Sequence, residues 1–329
     1  MSAPLRWGIL GAAKIARTDL APAIHAAHHA ELTALATRDP ARAAPFAALV
    51  PGLRVHDSYD ALLADPEVDA VYIPLPNNLH VEWSLRAIEA GKHVLCEKPI
   101  ALHASGIDRL IAARDASGLQ LAEAFMVVHH PQWARVQALL AEGVIGTLQH
   151  VEGVFTYHNP DPGDIRNQAE LGGGGLRDVG VYPCITARFA TGAEPTRLRA
   201  EMALEAGVDV FARVWAEFPG FTMSFYSGMR QARRQHMVFH GTDGWIELSA
   251  PFNGRVFGDT RVQWRGADGI THVERFNDID QYAVMIEAFG DAVRGVRSFA
   301  CPLELSRGNQ RMIDAIFEAA ESGAAIALS

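Results

Sequence analysis

Short apolar runs recur through the first third of the chain, separated by stretches with helical spacing. The runs predict strands over residues 7–10, 32–37, 53–56, 69–73, 93–95 and 119–124. Helical patterns and end signals lie between them: one helix to about residue 27, others over 40–49, 80–90 and near 104–116. Ser58 is a candidate cap for a further helix through Leu63, Asn78 for the helix at 80–90, and Gly91 and Gly118 are candidate stops. Six strands joined by helices predict a parallel, doubly wound sheet of the Rossmann kind, an α/β domain over residues 1–124.

The pattern changes at Phe125. A helix is expected over 130–141, then strands over 148–157, 197–205, 208–218, 222–227, 237–240 and 245–248, with turns at Pro219-Gly220 and Thr242-Asp243-Gly244. Strand–turn–strand succession predicts a mostly antiparallel open sheet. Helices over 281–294 and 303–321 close a second, α+β domain, residues 125–329.

Composition narrows the classes. At 329 residues the chain is long enough for two domains with cores of their own, and its net charge of −9 argues against nucleic acid as a partner. Cys96, Cys184 and Cys301 are widely spaced, form no CxxC and predict reduced thiols without a metal site. A strand begins almost at once, with no signal peptide before it, and no apolar run is long enough to span a bilayer. The expectation is a cytoplasmic protein without a membrane partner.

The candidate chemistry sits at strand ends. The first strand runs into Gly11-Ala12-Ala13-Lys14-Ile15-Ala16, where small residues at 11, 13 and 16 follow the G-x-G-x-x-G/A spacing. Gly11 permits the tight turn, and small residues at 13 and 16 allow a backbone to approach a pyrophosphate and a helix to pack on a strand. A strand before and a helix after favour dinucleotide binding over an ordinary turn. The second strand ends in Thr37-Arg38, where an NAD site would place a carboxylate; a guanidinium suits a 2′-phosphate, so NADP is preferred to NAD. The alternative is an Arg38 that is solvated or paired with Asp39. Leu75, Asn77 and His80 lie beyond the fourth strand and are expected to touch the cofactor, against a reading as turn and capping residues.

The fifth strand ends on Glu97-Lys98-Pro99, which puts Glu97 and Lys98 on the same ligand edge. Pro99 holds Lys98 extended, and a lysine so placed can join in proton transfer. Later comes Gly172-Gly173-Gly174-Gly175-Leu176-Arg177-Asp178-Val179-Gly180-Val181-Tyr182. If a helix starts near Leu176, Asp178 and Tyr182 share a face, and a phenol beside a carboxylate at a glycine-lined opening fits a proton relay. A flexible hinge with a core tyrosine is the alternative. His25, His28, His29, His129 and His130 form no recognisable ligand set, with His130 the best candidate for a role.

Glu97-Lys98-Pro99 together with the glycine run through Tyr182 resembles the Gfo/Idh/MocA oxidoreductases. The likeness covers essentially the whole chain, including Trp7-Gly8-Ile9-Leu10-Gly11, Glu123-Ala124-Phe125-Met126, His129-His130-Pro131-Gln132, Pro302-Leu303-Glu304 and Ser306-Arg307-Gly308-Asn309. Many members carry His at the place of Tyr182; Tyr there is similar to the subgroup of dimeric dihydrodiol dehydrogenases and NADP-linked D-xylose 1-dehydrogenases. The resemblance implies Tyr182 as general acid/base and Lys98 as its partner, also touching the nicotinamide ribose and substrate. It implies Asp178 orienting substrate or Tyr182, and Arg166 reaching the cofactor from the second domain. It also implies a homodimer or homotetramer paired through the open sheet. Two departures stand out: Ala13 for a commoner Gly, and Val128 where relatives often carry Arg, which bears on substrate preference. The expected function is metal-free, NADP-dependent hydride transfer to or from a sugar, cyclic polyol, trans-dihydrodiol or related hydroxy or carbonyl compound. The rivals are a non-catalytic NADP-binding regulator and an NAD-dependent polyol dehydrogenase.

Overall fold

Strand β1 (Leu5–Leu10) lies in the middle of a six-stranded sheet in the computed structural model, which describes residues 3–328. The other strands are β2 (Ala30–Ala36), β3 (Arg54–His56), β4 (Ala70–Ile73), β5 (His93–Cys96) and β6 (Leu121–Glu123), in the order β3-β2-β1-β4-β5-β6. All pairs are parallel; Ile9, for example, sits between Leu35 and Tyr72. The apolar runs are apolar because helices cover both faces, and Ile9, Leu35, Val71, Val94 and Leu95 are wholly buried. Local signals end the helices as their residue types dictate. Asp39 caps Pro40–Leu49 by accepting from the Ala41 amide at 3.0 Å, Ser58 caps Tyr59–Leu63 from Ala61 at 3.2 Å, and Gly118 stops Ala104–Ser117 at φ +69°. The strand order reverses between β1 and β4, so the carboxyl ends of β1, β4 and β5 border the crevice where such sheets bind ligands.

The chain divides into two compact units. One comprises residues up to His129 together with Asp280–Ser306; the other comprises His130–Ile279 and the residues from Arg307 on. A single cut after residue 124 does not describe this division, because the segment 280–306 belongs with the parallel sheet. Its helix Gln281–Val293 brings Phe289 to 5.1 Å from the ring of Trp7 on β1, and both rings are fully buried.

The second unit is built on nine strands: β7 (Leu148–His158), β8 (Arg197–Glu205), β9 (Val208–Phe218), β10 (Phe221–Gly228), β11 (Arg230–Gly241), β12 (Trp245–Leu248), β13 (Arg261–Arg265), β14 (Thr271–Arg275) and β15 (Ile326–Ala327). Their order is β14-β13-β12-β11-β7-β10-β9-β8-β15, antiparallel throughout except for β7 beside β10. Helix Val181–Thr191 packs against β7 and against helix Pro131–Ala141. The hairpin β13–β14 was not anticipated. Its residues alternate long polar side chains with few apolar ones, which reads as loop until pairing is known. β11 starts seven residues earlier than expected, at Arg230 instead of 237, because its first half is an irregular, arginine-rich ladder. Among the described residues no helix is long and apolar enough to cross a membrane, and the three cysteines are buried as free thiols.

Candidate active site

In the first unit the turn after β1 is tight for the reason its sequence suggests. Gly11 adopts φ +105°, its amide donates to Ala36 O at 3.0 Å, and the Ala13 amide donates back to Gly11 O at 3.0 Å. A Cβ at Gly11 would come within 3.1 Å of the Leu75 side chain and 3.4 Å of the Tyr59 hydroxyl, so β1 and the end of β4 close on one another here. Ala12, Ala13 and Ile15 are partly exposed and Lys14 is exposed, at the start of the helix running to Ala26. Thr37 is buried and accepts from the Asp39 amide at 3.2 Å. Arg38 is exposed, and Asp39 is engaged as the helix cap. Arg42 was missed in the sequence: its guanidinium donates to Ala12 O at 2.8 Å, which brings a second cation to the glycine turn.

The ends of β4 and β5 are tied together. Tyr72, buried on β4, donates its hydroxyl to Glu97 Oε1 at 2.5 Å, and the Lys98 amide donates to Glu97 Oε2 at 3.2 Å. Burial and then the Glu97 carboxylate hold the Tyr72 phenol far above its ordinary pKa, so it remains a donor. His80 is fully buried, with Nδ1 at 2.8 Å from Pro99 O and Nε2 at 2.7 Å from Leu75 O. It therefore clamps the loop after β4 to the loop after Lys98, whose bond to Pro99 is cis. Burial holds the imidazole below its ordinary pKa, against the pull of the two carbonyls. Glu123, at the end of β6, accepts from the Ile100 amide at 2.9 Å; burial pushes its carboxyl up to about 7, opposed by Ser306, that amide and the Lys98 ammonium. Lys98 thus lies among Glu97, Glu123 and His80, with Asn77 and Asn78 in the turn beyond β4.

In the second unit the glycine run is filled by the chain itself. A Cβ on Gly173 would stand 2.5 Å from Arg166 O, and one on Gly174, at φ +118°, would stand 2.2 Å from Asp209 Oδ1. Asp209, buried on β9, accepts from the Leu176 amide at 2.6 Å and supplies the missing cap of the helix that starts there; burial pushes its carboxyl up to about 7. That helix opens with a π turn, Leu176–Gly180, and continues as Val181–Thr191. Asp178 in the π turn accepts from the Tyr157 hydroxyl at 2.6 Å and pairs with Arg166 Nε at 2.9 Å, while Arg166 also reaches Asp164 at 3.3 Å. The structure therefore brings Asp178 and Arg166 together and adds Tyr157, which no local signal marks. Burial, then Asp178, raises the Tyr157 phenol well above its ordinary value, and Asp178 raises the guanidinium of Arg166.

Tyr182 follows one turn on. Its ring, 6 % exposed, lies 5.4 Å from Phe155 and 5.7 Å from Phe252. His130 caps helix Pro131–Ala141 by accepting from the Gln132 amide at 3.3 Å, and burial pushes its imidazole down to about 4; His129 is packed on Phe299 in the first unit, and burial takes it to about 3. Val128 is buried. Chemically, the first unit offers small residues and arginines for a nucleotide and a lysine among carboxylates. The second offers a phenol in an aromatic wall next to an anchored carboxylate.

Residues 5–125 match the profile of an oxidoreductase family with an NAD-binding Rossmann fold, and residues 133–247 match the GFO/IDH/MocA C-terminal domain. The chain is 40 % identical to an uncharacterized oxidoreductase of Rhizobium meliloti, over 97 % of this chain and 98 % of that one. It is 36 % identical to D-xylose 1-dehydrogenase (NADP(+)) 2 of Haloferax volcanii, over 98 % of this chain and 100 % of that one. Among solved structures, a 3-ketoreductase from Actinomadura kijaniata in complex with NADP and TDP-benzene superposes with a TM-score of 0.88 at 35 % identity, covering 96 % of this chain and 98 % of that one.

Proposed function

The chain belongs to the Gfo/Idh/MocA oxidoreductase family, and from that membership we propose that it is an NADP-dependent oxidoreductase acting on the hydroxyl or carbonyl group of a sugar or a related cyclic polyol or dihydrodiol. The observation that carries the reading is the placement of Lys98 at the carboxyl end of β5, on the ligand edge of a sheet ordered 3-2-1-4-5-6. The turn at Gly11 fits a dinucleotide: its positive φ and the small, partly exposed side chains at 12 and 13 leave room for a pyrophosphate to approach the backbone closely. Arg38, exposed at the end of β2, is chemically suited to a 2′-phosphate, and Arg42 adds charge nearby. Gly11 to Ile15, Thr37, Arg38, Leu75, Asn77, His80, Glu97 and Lys98 would hold the cofactor, through backbone approach, direct contact or, for the buried His80, by clamping the loops that make it. When bound, the nicotinamide exchanges the hydride.

The chain's own residues supply the proton and the geometry. Tyr182 holds or releases the proton on the substrate oxygen, and the Lys98 ammonium favours the phenolate form of that relay. Asp178, fixed by Tyr157 and Arg166, orients a substrate hydroxyl; the aromatic wall around Tyr182 excludes water. In this reading Arg166 acts on substrate through Asp178, with the cofactor contact expected of it an additional role. Cytoplasmic location and a homodimer or homotetramer go with the reading, and sedimentation at micromolar concentration tests the latter.

The deciding experiment follows NADPH absorbance across neutral and charged keto-sugars, aldoses and dihydrodiols for wild type, Tyr182→Phe and Lys98→Ala. Wild type is expected to turn over at least one class, and Tyr182→Phe to lose about 10²-fold or more in kcat while still binding NADPH. Turnover surviving in Tyr182→Phe removes the proton role, and tight NADPH binding with no turnover on any class favours a non-catalytic binding protein.

A further inference from the structure

The segment between β12 and β13 is held far more firmly than a connection requires. Gln235, buried on β11, accepts from the amides of Phe252 at 2.7 Å and Asn253 at 3.0 Å and donates to Asn253 O at 3.1 Å. Gln132 donates to Ala250 O at 3.3 Å and Pro251 O at 3.1 Å, and Trp133 Nε1 donates to Pro251 O at 3.2 Å. Three buried side chains, Gln235, Gln132 and Trp133, are thus committed to the backbone of one short loop. What they fix is Phe252, which stacks on Phe155 at 5.1 Å and 17° beside Tyr182. Phe257, at the end of the same segment, meets Phe155 edge-on at 6.0 Å.

A second device points at the same ring. Between Arg230 and Arg234 four steps along β11 oppose only two on β7, from His158 to Thr156, and Thr156 Oγ1 pins this bulge by donating to Ala232 O at 2.7 Å. Bulges beside functional sites re-aim side chains. Here Arg230 pairs with Glu205 at 2.8 Å and Arg234 donates to the Tyr226 hydroxyl at 3.0 Å. Arg233 is exposed, and its guanidinium lies 5.8 Å from the centre of the Phe257 ring. In a chain of net charge −9, a bulge therefore sets one solvent-facing cation on the rim of the aromatic wall that holds Tyr182.

We propose that Arg233 and Phe257 form a recognition lip for the substrate, and that the sugar taken carries an anionic substituent, a phosphate ester or a carboxylate. This rests on Tyr182 being the reacting group and deepens the function proposed above. The partly exposed ring of Phe257, backed by the buried Phe155 and Phe252, takes the C–H face of the sugar, and the guanidinium fork takes the anion, whose oxygens it matches in pairs. Being exposed, the cation acts on affinity more than on the chemical step.

The test pairs binding with turnover. Calorimetry on the NADP-loaded protein uses glucose, glucose 1-phosphate, glucuronate and thymidine diphosphate glucose, which separate phosphate from carboxylate. Wild type is expected to bind at least one anionic probe ten-fold or more tighter than glucose. Arg233→Ala should shrink that preference about ten-fold, Arg233→Lys should keep part of it, Phe257→Ala should weaken anionic and neutral probes alike, and Arg234→Ala, whose partner is Tyr226, should leave the preference as it is. Wild type without an anionic preference overturns the proposal, as does a preference that Arg233→Ala leaves intact or Arg234→Ala diminishes equally. An anionic preference that follows Arg233 in a protein with no turnover on any sugar strikes the reaction proposed above and leaves the lip standing.

Discussion

The hydroxyl of Tyr72 and the carboxylate of Glu97 meet at 2.5 Å across adjacent strands, 25 residues apart in sequence. Glu97 is thereby fixed on one side by a neighbouring strand and on the other by the Lys98 amide. Tyr72→Phe removes the donor and keeps the ring, leaving one carboxylate oxygen short of its partner. Stability should fall by about 1–3 kcal/mol, as for a lost bond to a charged group. If Lys98 works in the reaction, kcat should fall as well. Urea unfolding and steady-state kinetics read the two effects separately.

Arg38 decides between the two nicotinamide cofactors if it meets the 2′-phosphate. Arg38→Ala should weaken NADPH binding by about ten-fold or more and leave NADH binding within about two-fold, since a hydroxyl makes no comparable pair with a guanidinium. Titration of the cofactor's fluorescence gives both constants. Equal loss for both cofactors would place Arg38 elsewhere.

Glu123 gives stability a pH dependence of known sign. Its carboxyl is at about 7 when folded against an ordinary 4.5, chiefly through burial. The folded chain binds a proton there that the unfolded chain has released, so the contribution is complete below about 4.5 and is lost as pH rises through about 7. The span corresponds to at most about 3 kcal/mol. Glu123→Gln, which keeps an oxygen for the Ile100 amide, should flatten the unfolding free energy over this window.

Gly174 and Gly192 both have positive φ, +118° and +67°, yet only the first is crowded. Gly192→Ala, with open space around it, should cost about 1–2 kcal/mol for the left-handed backbone alone. Gly174→Ala would drive a methyl into Asp209 and should exceed about 4 kcal/mol, with loss of the helix start before Asp178 and Tyr182. Thermal unfolding of the two variants makes the comparison.

These cases show what a sequence can and cannot disclose. The central strands β1, β4 and β5 were legible because burial on both faces leaves apolar runs, and Ser58 and Gly118 announce helix ends through local chemistry. The glycine run was legible as a place of close approach, but what approaches, the Asp209 carboxylate and the Arg166 carbonyl, lies 35 positions downstream and 8 upstream of Gly174 and carries no local mark. Tyr157 was invisible for the same reason: only folding sets its hydroxyl on Asp178. Gln132 was legible as part of a motif and not as a loop anchor, because its carbonyl partners at 250 and 251 follow no pattern.

The return of residues 280–306 to the parallel sheet has a consequence for how this protein could be taken apart. Cleaving it behind His129 would strip Phe289 from the indole of Trp7 and Phe299 from the imidazole of His129, baring an oily flank on the nucleotide half. That half is therefore no transplantable cassette: exchanging it between relatives requires three splice points, behind His129, before Asp280 and behind Ser306, and a graft made with the first alone should aggregate.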